Sequence, residues 1–426
     1  MIFALGVLPV VMLLLGFPIF LVLLTAVSVA LVFYMNVPLA ALHQNLFGAI
    51  DAFALLAVPF FIYAGELMGR GSVAQRIVDF VQAGIGRVPG SLGVTAVGTS
   101  AIFGAISGAS AATVATVGKA MLPAMRRANY PETFSAGLIT AVGAIDIIIP
   151  PSIPMIVYGT AAQESVPRLY AAGVVPGLLI AAMLAVYVMW YAKKKGFESG
   201  SPFNFRLFVK ATTRGAWALG APFIILGGIY GGVFSPTEAA AVACVYGALV
   251  TWLVFRELGW RDVVDAAATT ALFTGQVLII VACASVFAWL LTVNQVPAAM
   301  VAWLESMKIS RWELLLAINL LLLLVGCFLD PLSSILLLTP LLIPMVKAVG
   351  IDTVHFGIVV TVNLAIGLFH PPFGINIFVA QSALGLKLEV IYRCIVPFLF
   401  IYLAALVLIT YVPEISLIGV KLFLRT

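Results

Sequence analysis

The sequence predicts an all-α polytopic membrane protein made of inverted-topology repeats, each carrying one re-entrant hairpin and one discontinuous helix. Three observations carry this. The 426 residues are 63% hydrophobic and 9% charged, with a mean hydropathy of +1.18, where soluble chains carry about 25% charge. Apolar runs long enough to cross a bilayer recur from end to end, and they are continuous rather than alternating, which leaves helices to satisfy the backbone in hydrocarbon. Helix breakers fall in the middle of some of these runs, and they do so twice at a fixed spacing.

The first 34 residues read as one or two spans, with Gly16 and Pro18 at the break. They lack a basic leader, so a cleaved signal peptide is not expected. Orientation comes from charge. The stretch 193–214 holds six Lys/Arg against one Glu, and such short loops face the cytoplasm. Counting outward from it, spans fall near 216–234, 238–255 and 267–291, and backward near 169–192 and 132–163. This layout puts 15 of the 22 Lys/Arg inside and six outside, including Arg425, with Lys119 at the membrane. Cys244, Cys283, Cys327 and Cys394 lie singly in apolar runs and read as buried small hydrophobes. The net charge of +5 follows from topology and calls for no nucleic acid.

Two segments of about 37 residues, 91–127 and 311–347, do not fit simple spans. The first has basic residues at both ends and a small, polar centre, "ISGASAAT"; the second breaks at "LDPLSS". Each reads as a hairpin of two half-length helices, with tips near 107–111 and 329–334. The competing reading for each is two ordinary spans.

A shift of 221 residues superimposes Pro123 on Pro344, Pro150 on Pro371, Pro151 on Pro372 and Pro176 on Pro397 without a gap. Hairpin then aligns with hairpin, and "AIDIIIPPSIPM" (144–155) with "AIGLFHPPFGIN" (365–376). The charge count gives the copies opposite orientations, and inverted repeats with corresponding broken segments mark secondary transporters with a site at the midplane. The organisation expected is scaffold spans over 1–90, a first hairpin and broken helix over 91–163, and a span with a basic connector over 164–215. Second scaffold spans follow over 216–310, a second hairpin and broken helix over 311–384, and a last span and tail over 385–426.

Broken helices supply the chemistry. A half-helix N-terminus presents N–H groups that suit a carboxylate, and an unwound turn presents carbonyls that suit Na⁺. Ser107, Gly108 and Ser110 in the first tip, and Asp330, Ser333 and Ser334 in the second, offer hydroxyls, backbone and a carboxylate. Ser152 follows one double proline; Gly374 and Asn376 follow the other. Asp146 and Asp330 are intramembrane acids, which point to function by default, although Asp146 also suits a structural pairing one turn before its break. His370 suits an anion, a proton or a helix cap. Prolines in a span also serve as packed kinks, and small-residue runs as close helix contacts. Glu66 and Glu238, near span ends, suit capping or scaffold contacts. His43, His355 and His370 have no local Ser/Asp arrangement, which argues against a membrane-embedded enzyme.

The motifs "PFFIYAGELM" (59–68), "GAISGASAATVATVG" (104–118), "IIPPSIPMIVYG" (148–159), "GGVFSPTEAAAVA" (231–243), "LDPLSSILLLTPLLIP" (329–344) and "HPPFGINIFVAQ" (370–381) together resemble the large membrane subunit of tripartite ATP-independent periplasmic (TRAP) transporters. The resemblance covers essentially the whole chain. It implies Na⁺-coupled uptake of organic anions across a bacterial inner membrane by an elevator, with a transport domain moving against a scaffold. A soluble periplasmic substrate-binding protein and a small four-helix membrane subunit are the implied partners, the latter expected as a separate chain, and no cofactor is implied beyond the coupling ion. Carried over residue by residue, one Na⁺ site takes Ser107, Gly108, Ser110 and the backbone near Asp146. The other takes Asp330, Ser333, Ser334 and the backbone near Phe369. Substrate is then expected between the tips, near Ser152 and the segment His370, Pro371, Pro372, Gly374 and Asn376. Two positions depart from the pattern: Asp146, where a small or apolar residue is expected, and His370, where Thr is expected. A stand-alone Na⁺/anion symporter of similar two-hairpin fold is the alternative. The chain alone does not choose among C4-dicarboxylates, sialic acids and other sugar acids.

Overall fold

The structure is a computed structural model that describes all residues except 2, 36, 38, 198, 199, 201, 425 and 426. Arg425 and the connector's Glu198 therefore lie outside the described residues. Every regular element among the described residues is helical. Six helices are long and apolar enough to cross a membrane. Helices stand at four of the five expected spans, as Val166–Lys195, Phe205–Tyr230, Pro236–Leu249 with its π-helical continuation Val250–Val254, and Trp260–Val293, while the fifth, 132–163, is interrupted between Val142 and Ile153. The N-terminal run is two helical pieces, ending at Leu14 and resuming at Ile19. Gly16 sits between them at φ +81°, a left-handed conformation that glycine adopts without steric cost.

Local chemistry accounts for Glu238 and Glu66, the two acids near span ends. Ser235 and Glu238 form a reciprocal capping box at the start of Pro236–Leu249, satisfying two amides that the helix itself leaves unpaired. Glu66 pairs with Arg70 one turn on, at 3.4 Å.

The repeat is visible in helix boundaries. Ser110–Arg127 shifted by 221 falls on 331–348, the bounds of Pro331–Ala348. Glu132 falls on Thr353, where the next helix of the second half begins. Both double prolines contain a cis bond, Pro150–Pro151 and Pro371–Pro372. Each half has a helical hairpin, Ser91–Ser107 with Ser110–Arg127 and Arg311–Gly326 with Pro331–Ala348. Each also has an interrupted helix: Glu132–Val142 and Ile153–Ala162 in the first half, Thr353–Gly367 and Ile375–Leu384 in the second.

The hairpin arms correct the half-length expectation. They run 16 to 18 residues, about 24–27 Å at 1.5 Å per residue. The small residues of "ISGASAAT" mostly stay helical, and only Gly108, at φ +60°, and Ala109 leave the helix at the first tip. It is the interrupted helices that have short pieces.

Packing crosses between the halves. The second arm of each hairpin lies on the helix that follows the break in the other half: Ser110–Arg127 on Ile375–Leu384, and Pro331–Ala348 on Ile153–Ala162. Within each half, the first arm meets the interrupted helix through glycine. A Cβ on Gly104 would fall 2.8 Å from Asp146 Cα, and one on Gly367 would fall 2.8 Å from Gly326 Cα. Leu388–Tyr411 packs on Glu132–Val142, where Gly137 lets the two backbones approach.

Gly367→Ala is expected to lower stability by about 1–3 kcal/mol, the usual cost of forcing atoms into a packed contact. Gly227→Ala, where a Cβ meets nothing within 4 Å, is expected to be neutral or stabilising by up to about 1 kcal/mol. Thermal unfolding of both variants in one detergent checks the contrast.

Candidate functional site

At the first junction, the hairpin tip sits on the break of its own half. The Ser110 hydroxyl donates to the Gly143 carbonyl at 2.7 Å and accepts from Asn376 Nδ2 at 2.9 Å. The Thr113 hydroxyl donates to Asp146 Oδ2 at 2.5 Å. Asp146 is fully buried, and its Oδ1 has no hydrogen-bond partner among the described residues. Ser107 Oγ accepts from the amide of Ala109 at 3.3 Å. Ser107, Gly108, Ser110 and Asp146 are thus brought together, as expected. Thr113 was not foreseen; its place one turn into the helix after the tip was the available signal.

At the second junction, Asp330 caps the return arm. Its Oδ2 accepts from the amides of Leu332 at 3.0 Å and Ser333 at 3.1 Å, and its Oδ1 from the Ser333 hydroxyl. Ser334 Oγ is buried without a hydrogen-bond partner among the described residues. A small cavity of about 90 Å³ separates this tip from its break, lined by Gly326, Leu329, Asp330, Gly367 and Leu368 among others. Phe369 is fully buried, its ring edge-on to Tyr402 at 4.8 Å.

The residues after the breaks are placed differently from the expectation that they face the space between the tips. Ser152 is buried and caps Ile153–Ala162, donating to the Ile147 carbonyl at 2.5 Å. Asn376 is buried and ties the second break to the first half through Ser110 and through the Thr140 carbonyl at 3.3 Å. His370 Nδ1 lies 2.5 Å from the Pro371 carbonyl, which can only accept, so this nitrogen carries the proton. It also lies 3.0 Å from Cys327 Sγ. Cys327 is therefore more than an isolated apolar filler, a contact that spacing in the sequence does not reveal. The Pro372 carbonyl accepts from Tyr392 at 2.7 Å. Gly374 leaves no room for a side chain, because a Cβ there would meet the Leu368 carbonyl. The breaks use these groups to satisfy their own backbone, as burial demands.

What does face the space between the tips is a cavity of about 280 Å³. Residues 108–111 and 330–332 line it from the two tips, Ile147, Ile153 and Pro154 from the first break, and Leu368 and Ile375 from the second. Four helices begin at this lining, at Ser110, Ile153, Pro331 and Ile375, and first-turn amides have no intrahelical acceptor. No Lys, Arg or His is among its lining residues. The remaining wall is Phe273, Gln276, Val277 and Ile280 of Trp260–Val293. The sequence reading missed this wall; a lone glutamine at the centre of an apolar span was its one signal.

Residues 6–415 match the family model of the DctM component of the tripartite ATP-independent periplasmic transporter. The chain belongs to the DctM family. A C4-dicarboxylate TRAP transporter large permease protein DctM of Pseudomonas aeruginosa is 40% identical over 377 residues, 88% of each chain. The ectoine TRAP transporter large permease protein TeaC of Halomonas elongata is 38% identical over 410 residues, 95% of this chain and 96% of its own. An isethionate TRAP transporter permease protein DctMQ of Oleidesulfovibrio alaskensis is 40% identical over 383 residues, 90% of this chain, and this chain spans 60% of that relative's length. These DctM relatives are named as transporter permeases and not as enzymes. The solved structure of the Alcanivorax borkumensis YdaH transporter matches 98% of this chain and 99% of its own with a TM-score of 0.66 at 14% identity, a likeness of fold. As a DctM protein with six helices long and apolar enough to cross a membrane, the chain is a multi-pass membrane protein.

Thr113→Val keeps the shape and removes the hydroxyl that donates to Asp146 Oδ2. It is expected to cost about 1–3 kcal/mol by stranding a buried carboxyl group, read as a lower melting temperature and faster hydrogen exchange at 107–113.

Proposed function

We propose that this chain is the transporting subunit of a tripartite system that takes up a small organic anion across a bacterial inner membrane, driven by Na⁺. The anion is delivered by a periplasmic binding protein, and a small membrane subunit completes the complex. Membership of the DctM family supports this reading. The observation that carries it is the meeting of both hairpin tips and both helix breaks around one cavity. Helix N-termini there, with Asp330 already on the one at Pro331, offer partial positive charge to an anion that finds no cationic side chain.

Na⁺ is assigned to the two tip–break junctions. The first offers the Gly143 carbonyl, the Ser110 hydroxyl and Asp146; the second offers Asp330 and Ser334 beside a small cavity. Oxygen ligands of this kind suit a hard cation. Each tip lies at the middle of an interrupted helix, which supports hairpins that enter and leave on one side. The transport domain is assigned to the hairpins and interrupted helices of 91–163 and 311–384, since they pack on one another across the halves. The scaffold is assigned to the helices around Trp260–Val293, and the elevator to motion between the two.

Proteoliposomes holding the chain, the small subunit and the loaded binding protein are expected to accumulate the anion only under an inward Na⁺ gradient. Uptake indifferent to Na⁺, or equal without the binding protein, overturns the assignment. Asp330→Asn keeps a good helix cap and removes the charge. It is expected to raise the Na⁺ concentration for half-maximal uptake at least about tenfold, each factor of ten being about 1.4 kcal/mol. Unchanged Na⁺ activation removes Asp330 from the site.

A further inference from the structure

The wall that Trp260–Val293 gives to the central cavity is apolar with one exception. Phe273, Gln276, Val277 and Ile280 are spaced so that one helix face meets the cavity. Gln276 sits at the centre of a 34-residue apolar helix, where a polar side chain costs more than an apolar one. Its side chain is exposed rather than packed, and it makes no hydrogen bond among the described residues. A leucine would serve lipid contact or helix packing better at such a place, so the amide calls for a partner that comes and goes.

We propose that Gln276 is a specificity-determining residue that hydrogen-bonds a second polar group of the transported anion. The inference rests on the central cavity being the transport site. The acid group of the anion is taken by the helix ends around the cavity, away from the Pro331 end that Asp330 occupies. Gln276 faces them from the scaffold wall with one acceptor and two donors. It therefore pairs with a hydroxyl, a carbonyl, an amide or a second acid group, and it offers nothing to a plain hydrocarbon tail. The substrate class is accordingly a small organic anion bearing a second hydrogen-bonding group, with an apolar stretch between the two that meets Ile153, Leu368 and Ile375. A site built to hydrogen-bond a substrate group rejects the analogue that lacks it far more strongly than a hydrophobic pocket rejects a missing methylene.

The probe is the anion recovered from the purified cognate binding protein, identified by mass spectrometry. The chain is purified with its small subunit, without the binding protein, in Na⁺. The reading is the anion concentration that half-maximally raises the melting temperature. In the wild type, no shift at up to about 100 mM overturns the transport-site reading itself, whatever Gln276 does. Given a shift, Gln276→Leu is expected to raise that concentration at least about tenfold, roughly the loss of one good hydrogen bond. Gln276→Asn is expected to raise it less. The analogue of the anion lacking the second polar group is expected to bind the wild type as weakly as the parent binds Gln276→Leu, and to lose nothing further in that variant. An unchanged half-maximal concentration in Gln276→Leu overturns the proposal, as does a lower basal melting temperature with unchanged affinity. A recovered anion with no second polar group overturns it as well.

Discussion

Backbone that leaves helical geometry in the membrane interior must find partners for its N–H and C=O groups inside the protein, because lipid offers none. Both breaks in this chain are governed by that requirement. Around the first, Ser152 takes the Ile147 carbonyl, Ser110 the Gly143 carbonyl, and Asn376 the Thr140 carbonyl. Around the second, the amide of Asn376 takes the Leu368 carbonyl at 2.8 Å and Tyr392 takes the Pro372 carbonyl. The polar side chains nearest the double prolines are thus committed to the backbone. The cavity is left to helix ends, apolar side chains and a few groups from the tips.

The two junctions share a plan and differ in which strand of it carries the acid. In the first, the carboxyl group comes from the break, at Asp146, and meets Thr113 of the hairpin. In the second, the corresponding break residue is Gly367, packed against Gly326, and Ser334, which corresponds to Thr113, has no partner. There the carboxyl group comes from the tip, at Asp330, where the first half has Ala109. Each junction holds one acid supplied from opposite sides. The presence of Asp146 is therefore the counterpart of Asp330 and not merely an extra charge in one copy. A glycine at 367 is what lets the second pair of backbones close up, and a glycine at 104 makes room for the bulkier aspartate in the first.

Much of this architecture was legible in the sequence because prolines act locally. Pro150, Pro151, Pro371 and Pro372 each remove an amide donor, so the breaks lie where the prolines lie, and their common spacing exposes the repeat. The first tip was placed correctly but made too wide, because small residues lower helix propensity only slightly and do not by themselves end a helix. Pairings across the halves were not legible. Nothing in the spacing of Ser110 and Asn376 says that they touch, since that contact depends on how the two hairpins cross; within the second half, the spacing of Cys327 and His370 is equally silent about theirs. Post-break polar residues looked like ligands for the same reason: composition reveals that a buried polar group needs a partner, but not whether that partner is a solute or the chain's own backbone.

The absence of basic side chains from the cavity lining follows the same physics. A lysine or arginine fixed at the centre of the membrane would need a permanent counter-charge, and would hold an anion tightly on either side of its path. Helix ends carry about half a charge each and need no ion to be stable, so they attract an anion without trapping it. Asp330 tempers them further, occupying the amides of Leu332 and Ser333 at the Pro331 end, as Ser152 occupies that of Met155 at the Ile153 end and the Leu368 carbonyl that of Asn376 at the Ile375 end. In this geometry a cation bound beside Asp330 would offset the carboxylate nearest the cavity. The anion would then meet a more positive site only when the cation is present, which is a physical route from ion binding to substrate binding that requires no movement of the helices themselves.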